Sequence, residues 1–228
     1  MQTPKESDLK LVTTKDGSQT ILNTTLGSTY HSRHGALTES NHVFLDQGLK
    51  RVVDGGKEQV RLFEMGFGTG LNALLTWKAA RESGLRIDYH GLELYPVPEN
   101  VWMAYELPAE LKSGQDEFRK IHEAAWNTQV QMDDSFQLTK NHLSLTDYES
   151  DQRFDLIYYD AFEPETQPEL WTEEVFEKLF GMMEDGGVLT TYCCKGYVRR
   201  NMIAAGFVVE KVPGPPGKRE MIVAHRPL

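Results

Sequence analysis

The sequence predicts a doubly wound α/β fold, in which helices cover both faces of a mostly parallel sheet. From residue 61 onward, short apolar runs typical of buried strands alternate with helical patterns. Parallel strands need right-handed crossover connections, so this alternation favours a doubly wound sheet. The predicted strands are 60–65, 87–92, 128–132, 154–159, 187–192, 207–211 and 220–225, and the predicted helices are 71–82, 99–106, 135–142, 173–183 and 197–205.

The last two predicted strands are separated only by a Pro-Gly-Pro-Pro-Gly segment, residues 213–217. This connection is too short for a crossover helix, so the two strands should pair antiparallel. Six parallel strands followed by one antiparallel strand is the sheet pattern of Rossmann-like class I methyltransferases rather than of nicotinamide dehydrogenases. The sequence therefore predicts a seven-stranded, mostly parallel sheet with an antiparallel last strand.

A β-hairpin is predicted ahead of this sheet. Asp16 and Gly17 are a turn signal between two β-prone runs, 9–14 and 19–22. We expect one compact unit overall. Within it, residues 1–50 would form the hairpin and a segment that closes over substrate and cofactor, and residues 51–228 the methyltransferase domain.

The composition is that of an ordinary globular protein, with 39% hydrophobic and 25% charged residues. No apolar run approaches the roughly 20 residues of a membrane helix, and the N-terminus lacks a secretory pattern. We therefore expect a cytoplasmic protein with no membrane partner. Cys193 and Cys194 are adjacent, which excludes an ordinary disulfide between them and a four-ligand zinc site, so no metal is expected.

Charge is distributed unevenly along the chain. A net charge of −10 argues against a protein that coats nucleic acid generally. Residues 195–228 nevertheless contain seven basic and two acidic residues. This asymmetry indicates an acidic body with one basic face, which is either a contact surface or simply solvated.

The first strand of the predicted sheet leads into a loop that contains Gly66, Gly68 and Gly70. Such a loop lets the backbone approach a ligand closely beside a helix N-terminus. Its spacing differs from the G-x-G-x-x-G of a pyrophosphate site, and the preceding Glu64 suits a cationic ligand. S-adenosylmethionine carries a sulfonium and an ammonium, so we predict this cofactor, with Glu64, the glycines and Asn72 in contact with it.

Acidic residues follow the next two predicted strands. Glu93 ends the second strand, where a carboxylate can accept both ribose hydroxyls of an adenosyl group, or be a solvated acid. Asp133 and Asp134 follow the third, where one carboxylate could receive the adenine amino group. Capping of the next predicted helix is the alternative for at least one of them.

The segment after the fourth strand runs from Asp160 to Trp171 and reads D-x-F-x-P-x(3)-P-x-L-W. Ligands of open α/β sheets bind at the carboxyl ends of the strands, so Asp160 is expected beside the cofactor. The segment resembles the signature of the MnmC methyltransferase family, which completes 5-methylaminomethyl-2-thiouridine at the tRNA wobble position. The resemblance begins near Tyr30, reaches the C-terminus, and includes Glu39, the glycine loop and residues 196–200 and 217–221.

The resemblance implies methyl transfer to the primary amine of 5-aminomethyl-(2-thio)uridine in the anticodon region of tRNA. It also implies a stand-alone enzyme without the FAD-dependent oxidoreductase half. Asp160 would orient the amine, with Phe162 and Pro164 beside it. For the cofactor, Glu93 would hold the ribose, Asp134 the adenine, and Tyr30 and Glu39 the methionine end. The implied substrate or tRNA contacts are Trp171, Lys195, Arg199, Arg200, Lys218 and Arg219.

Other interpretations remain open on the residues alone. The same sheet and an acidic amine pocket would serve a small-molecule N-methyltransferase or an aminopropyltransferase. A non-catalytic RNA-binding module on this fold is a third alternative. His31, Arg33 and His34 give their segment a basic character that suits a phosphate or metal site, or a solvated loop.

Overall fold

The computed structural model describes residues 5–228, whose core is an eight-stranded sheet in the order β10-β11-β9-β8-β4-β5-β7-β6. β11 pairs antiparallel with both β9 and β10, so these two strands run in the same direction. β6 is an antiparallel edge strand. The bounds are β4 Gln59–Met65, β5 Arg86–Leu92, β6 Gln129–Asp133, β7 Phe136–Asn141, β8 Phe154–Tyr159, β9 Met183–Thr191, β10 Val208–Pro213 and β11 Glu220–His225.

Helices cover both faces of the sheet, as the alternating pattern predicts. One hydrophobic cluster unites Phe44, Trp77 and Phe118 with Tyr158 of β8. A second cluster unites Phe176 and Met202 with the neighbouring Tyr159, which points to the other face. The helices are α1 Ala36–Ser40, α2 Lys50–Asp54, α3 Leu71–Ser83, α4 Glu99–Met103, α5 Gln115–Glu123, α6 Glu173–Gly181 and α7 Gly196–Ala204. The predicted fold class is confirmed.

One predicted helix is wrong. Most of the predicted helix 135–142 is strand β7, Phe136–Asn141, which pairs parallel with β5 and takes the place predicted for 128–132. Burial along β7 alternates, with Phe136, Leu138 and Lys140 buried and the residues between them half-buried. This is the two-residue period of a strand, which the charge of Lys140 hides in the sequence. The sheet therefore has eight strands rather than seven.

The predicted hairpin is present as the first two strands of a separate antiparallel sheet. Its strands are β1 Leu9–Thr13, β2 Gln19–Asn23 and β3 Ser28–Thr29. Asp16, in the turn, reaches the N-terminus of α1, where its Oδ2 accepts from the backbone N–H of Thr38 at 3.0 Å. A carboxylate at this end of a helix satisfies an otherwise free N–H group and is favoured by the helix dipole. The turn thereby anchors the hairpin to α1.

A π-helix, Asn41–Leu49, joins α1 to α2 in one continuous helical segment. It lies close against the sheet: a Cβ at Gly48 would be 3.0 Å from both Tyr158 and Thr190. The Thr190 hydroxyl donates to the carbonyl of Val43 at 2.8 Å. The predicted boundary between residues 1–50 and 51–228 falls inside this helical segment. The boundary stays a prediction. Within residues 5–228, no helix combines the length and apolar character needed to cross a bilayer.

Candidate active site

A cleft of about 730 Å³ opens at the carboxyl ends of β4, β5 and β8. Its walls are the glycine loop after β4, the segment Tyr30–Arg33 that follows the N-terminal sheet, and the loop that begins at Asp160. This is the edge at which open α/β sheets bind ligands. The N-terminal sheet thus adds a wall to a site that the main sheet builds.

The glycine loop is shaped by close contacts on two sides. Gly66 has φ +89°, and a Cβ there would collide with the carbonyl oxygen of Asp160. Gly68 has φ +49°, and its Cβ would lie 3.0 Å from the Tyr30 ring. Gly70, with φ +72°, precedes the first residue of α3. Glycine at 66 and 68 therefore lets the loop approach the Asp160 backbone and the Tyr30 ring more closely than any side chain would allow.

Glu93 connects the glycine loop to the end of β5. Its Oε2 accepts from the backbone N–H of Gly68 at 3.0 Å, and its Oε1 accepts from that of Tyr95 at 2.9 Å. Burial raises the pKa of this carboxyl despite these hydrogen bonds. The side chain also lines the cleft, so its carboxylate can accept from a ligand hydroxyl.

Asp160 lines the cleft directly after β8. Burial raises its pKa most, followed by the negative charge of Glu39. A hydrogen bond from Asn72 and the positive charge of Lys218 lower it, and the resulting pKa is about 8. Asn72, in the first turn of α3, donates from Nδ2 to Asp160 Oδ2 at 3.0 Å. A carboxyl with this pKa exchanges a proton near neutral pH, which suits a group that handles an amine proton.

Glu64 lies beneath the cleft and is fully buried. Its Oε1 accepts from Asn72 Nδ2 at 2.9 Å, and its Oε2 accepts from the Tyr89 hydroxyl at 2.6 Å. Burial raises its pKa well above the usual range. Its side chain supports Asn72 and does not line the cleft, and its contact with the cofactor stays a prediction.

The cleft fits S-adenosylmethionine in shape and charge. The glycine loop leaves space beside the N-terminus of α3, and the Glu93 carboxylate faces the place of a ribose. Glu39 and Asp160 place further carboxylates along the same cleft, where a sulfonium and an ammonium need them. Residues 5–228 contain no cluster of three or more His, Cys, Asp or Glu side chains arranged to hold a metal ion.

Comparison with known families agrees with this geometry. Residues 109–227 match the model of a family described as S-adenosyl-L-methionine-dependent methyltransferase. This match covers half of the chain. The chain belongs to this family. The methyltransferase therefore uses S-adenosylmethionine, as the glycine loop and its acidic surroundings predict.

Curated relatives are similar over most of the chain. The bifunctional protein MnmC of tRNA 5-methylaminomethyl-2-thiouridine biosynthesis from Cupriavidus metallidurans is 33% identical over 217 residues, which are 86% of this chain and 31% of the relative. The protein of the same name from Aeromonas hydrophila is 30% identical over 225 residues, 91% of this chain and 34% of the relative. The methyltransferase thus spans about a third of the length of these relatives.

Solved structures share the fold. The crystal structure of MNMC2 from Aquifex aeolicus superposes with a TM-score of 0.82 at 24% identity, covering 99% of this chain and 74% of that one. DesVI from Streptomyces venezuelae superposes with a TM-score of 0.51 at 15% identity, covering 84% and 92%. Both similarities show a shared fold and nothing further about the methyltransferase.

Asp134 lies away from the cleft, so its predicted contact with adenine is wrong. It sits in the turn between β6 and β7, at the end of the sheet where β7 begins beside Ile87 of β5. Its neighbour Asp133, at the same end of the sheet, accepts from Trp77 Nε1 at 2.8 Å. The loop after β7 contributes Ser144 and Thr146 to the cleft instead. The misassigned strand explains the error, because an adenine-side residue must follow the strand beside β5.

The loop after β8 is braced from below. Trp171 is 1% exposed and donates from Nε1 to the carbonyl of Phe162 at 2.9 Å. Trp171 therefore supports the loop, and its contact with the substrate stays a prediction. Pro164 is buried outside the cleft wall. Phe162 lines the cleft, where its ring stands edge-on to Tyr30 with centroids 5.1 Å apart.

The predicted basic residues do not form one group. Lys218 lines the cleft, where its Nζ lies 3.1 Å from Glu39 Oε1 and 3.8 Å from the centre of the Tyr192 ring. Lys195 pairs with Glu165. The remaining three lie outside the cleft wall, and these are Arg199, Arg200 and Arg219.

Phe67 and Tyr192 are cleft residues that sequence reasoning misses. Phe67 packs so tightly over Gly91 that a Cβ there would collide with its ring. Tyr192 donates its hydroxyl to the carbonyl of Ala161 at 2.7 Å, which ties β9 to the loop after β8. Arg33, which belongs to the basic segment noted in the sequence, lines the cleft from the N-terminal side. For the Phe67 contact, the only signal in the sequence is the glycine inside the strand, Gly91.

Proposed function

We propose that this methyltransferase transfers the methyl group of S-adenosylmethionine to the primary amine of 5-aminomethyl-(2-thio)uridine at the tRNA wobble position. The observation that carries the proposal is the Asp160 carboxyl, held in the cleft with its pKa raised to about 8. An amine substrate needs such an acceptor. The names of the MnmC relatives, which concern a methylaminomethyl-uridine in tRNA, support the same substrate.

The amine must react in its unprotonated form. A free alkyl ammonium has a pKa of about 10.4, like that of lysine, so at neutral pH a proton has to be removed. Bound S-adenosylmethionine supplies an electrophilic methyl group on a cationic sulfur. Oδ2 of Asp160 accepts from Asn72, which leaves Oδ1 to hold the amine hydrogen and aim the nitrogen lone pair. With its raised pKa, the same carboxylate can accept the proton that the ammonium releases.

Alignment supplies much of the remaining catalysis. Holding two reactants in line can contribute roughly 7–11 kcal/mol to lowering a barrier. Tyr30 and Phe162 form an aromatic wall on which a pyrimidine ring can rest beside Asp160. With a base resting on it, this aromatic wall would also keep water from the transferring methyl group.

The remaining roles complete the proposal. Glu93 would hold the ribose, and Tyr30 and Glu39 the methionine end, so that residues 1–50 close one side of the cofactor. Lys218 would act at Glu39 inside the cleft rather than at a phosphate. The anticodon region of tRNA is the proposed partner, and the cytoplasm is the proposed location.

Nucleoside mass spectrometry tests this function. Transfer RNA that carries 5-aminomethyl-2-thiouridine is incubated with the enzyme and S-adenosylmethionine, and then digested. The proposal expects the mass of one methyl group to appear on that nucleoside. It also expects the transfer to stop in Asp160→Ala while cofactor binding continues. Methylation of another nucleoside, or of none, would overturn the assignment of substrate.

A further inference from the structure

We propose that Lys15, Arg33, His34 and Arg219 form a phosphate-binding surface beside the cleft, here called the hairpin-side basic surface. It would hold the backbone of the RNA next to the nucleotide whose base enters the site. The inference rests on the proposed function for the identity of the RNA. The residues themselves come from two distant parts of the chain, and three of the four belong to the N-terminal segment.

These residues are brought together by specific contacts. The backbone N–H of Lys15 donates to the carbonyl of Arg33 at 3.0 Å, and Lys15 Nζ lies 3.5 Å from Nδ1 of His34. The His34 ring packs against Gly217, where a Cβ would lie 2.8 Å from its Nε2. Gly217 is followed within two residues by Arg219. The turn of the hairpin, the segment after β3 and the loop between β10 and β11 therefore meet at one place.

The cations of this surface are not held in direct ion pairs within the described residues. Within residues 5–228, no carboxylate forms an ion pair with Lys15, Arg33 or Arg219. Asp16 is engaged with five donors from Thr14, Ser18 and Thr38. In a chain with a net charge of −10, an uncompensated cluster of cations is a local site for a polyanion.

The surface lies where an RNA backbone would pass. Arg33 lines the cleft, and the four side chains of the surface are all exposed. A base that enters the cleft leaves its flanking phosphates at the mouth, beside Lys15, Arg33 and Arg219. Phosphate contacts of this kind fix the position of a nucleic acid without reading its sequence.

The backbone beneath the surface is held firmly. Asp16 anchors the hairpin turn to the N-terminus of α1, and a Cβ at Gly35 would collide with the Asp16 carboxylate. This close approach fixes the backbone beside Lys15 and Arg33 before RNA binds. A prearranged surface loses less conformational entropy on binding than a flexible one.

Salt-dependent binding tests the surface. Fluorescence anisotropy would measure the affinity of labelled tRNA at several salt concentrations, for the wild type and for Lys15→Gln/Arg33→Gln. Removing one cation that neutralises a phosphate of a single-stranded loop lowers the slope of log K against log salt by about 0.7. We expect the double variant to lower the slope by about 1.4, and its tRNA affinity by roughly tenfold at moderate salt.

A matched control removes two positive charges elsewhere. Lys50→Gln/Lys57→Gln breaks ion pairs with Asp54 and Asp155, outside the cleft wall. We expect it to leave the slope within about 0.3 of the wild type. Equal losses in both double variants, an unchanged slope in Lys15→Gln/Arg33→Gln, or no saturable tRNA binding by the wild type would each overturn the surface.

The two proposals fail in different ways. If tRNA binds with the expected slopes but aminomethyluridine gains no methyl group, the surface stands and the proposed reaction is wrong. If the methyl group appears but the Lys15→Gln/Arg33→Gln slope equals that of the wild type, the reaction stands and the surface is wrong.

Discussion

Asn72 joins two carboxyl groups through one side-chain amide, which donates to Glu64 Oε1 at 2.9 Å and to Asp160 Oδ2 at 3.0 Å. Both acceptors have raised pKa values because they are buried. The fully buried Glu64 therefore fixes the amide, and the amide fixes the orientation of Asp160 in the cleft. This link makes the protonation of Asp160 sensitive to a residue beneath the site.

Replacing Asn72 should change the pH dependence of the reaction. Asn72→Leu removes a hydrogen bond that lowers the pKa of Asp160, so that pKa should rise further above 8. Activity should then need a higher pH, and kcat/KM at pH 7 should fall roughly 10- to 100-fold, the range for a hydrogen bond to a charged group. A pH–rate profile measures both effects.

Asn201→Leu is the control for this experiment. Its amide donates to the carbonyl of Trp171 at 2.8 Å, away from Asp160. The control should lose stability but keep the wild-type pH profile. If Asn72→Leu also keeps that profile, Asn72 does not govern the protonation of Asp160.

Asp160→Asn should stabilise the fold while abolishing transfer. The folded-state pKa of about 8 lies above the unfolded value, so ionised Asp160 disfavours folding, a cost that begins near pH 4 and is complete above pH 8. Asparagine removes that cost. Allowing for solvent in the cleft, we expect the free energy of unfolding at pH 8 to rise by roughly 2 kcal/mol, with no gain below pH 4.

Urea denaturation at pH 4 and pH 8 would measure this change. Asp155→Asn is a useful comparison, because Asp155 pairs with Lys57 and accepts from the backbone N–H of Arg61 at 2.8 Å. That variant should lose stability at pH 8. A loss of stability in Asp160→Asn as well would contradict the pKa assigned to Asp160.

Gly66→Ala should abolish cofactor binding. Its φ is +89°, and the new methyl group would collide with the carbonyl oxygen of Asp160. Gly56→Ala is a matched control, because Gly56 has φ +92° and an added methyl group there would have no atom within 4 Å. The control should lose about 1 kcal/mol of stability from backbone strain, yet bind S-adenosylmethionine normally by calorimetry. Equal binding by both variants would mean that contact with Asp160 is unimportant.

Glu93→Gln should weaken cofactor binding. Both carboxylate oxygens accept from backbone N–H groups, so the glutamine NH₂ must face one of these donors. We expect the affinity for S-adenosylmethionine to fall roughly 10- to 100-fold, again by calorimetry. Glu163→Gln changes an exposed carboxylate of the same cleft and should alter the affinity less than threefold, about 0.7 kcal/mol. A similar loss in both would indicate a general charge effect.

The main sheet and the cofactor loop could be predicted because their signals are local. The glycines, the antiparallel last strand and Asp160 at a strand end each depend on a few neighbouring residues. Lys140 shows where this reasoning fails. It is 1% exposed, and its Nζ lies 4.7 Å from the centre of the Trp126 ring. A buried lysine inside a strand disguises the alternation, and the predicted place of Asp134 is wrong as a result.

The sequence also could not show which of the acidic residues at strand ends lines the cleft. Glu64 and Glu93 both stand at strand ends in the sequence, yet only Glu93 lines the cleft. Which acid faces a ligand depends on side-chain direction and on partners such as Tyr89, contributed by another strand. Such partners are long-range contacts that a single sequence does not display.

The central claim is that Asp160 directs methyl transfer to an amine of tRNA. The most direct measurement is nucleoside mass spectrometry of tRNA containing 5-aminomethyl-2-thiouridine, after incubation with S-adenosylmethionine and either the wild type or Asp160→Ala. We predict one methyl group on that nucleoside with the wild type, and none with Asp160→Ala, although the variant still binds the cofactor. Equal methylation by both proteins, or no methylation of that nucleoside by the wild type, would contradict the claim.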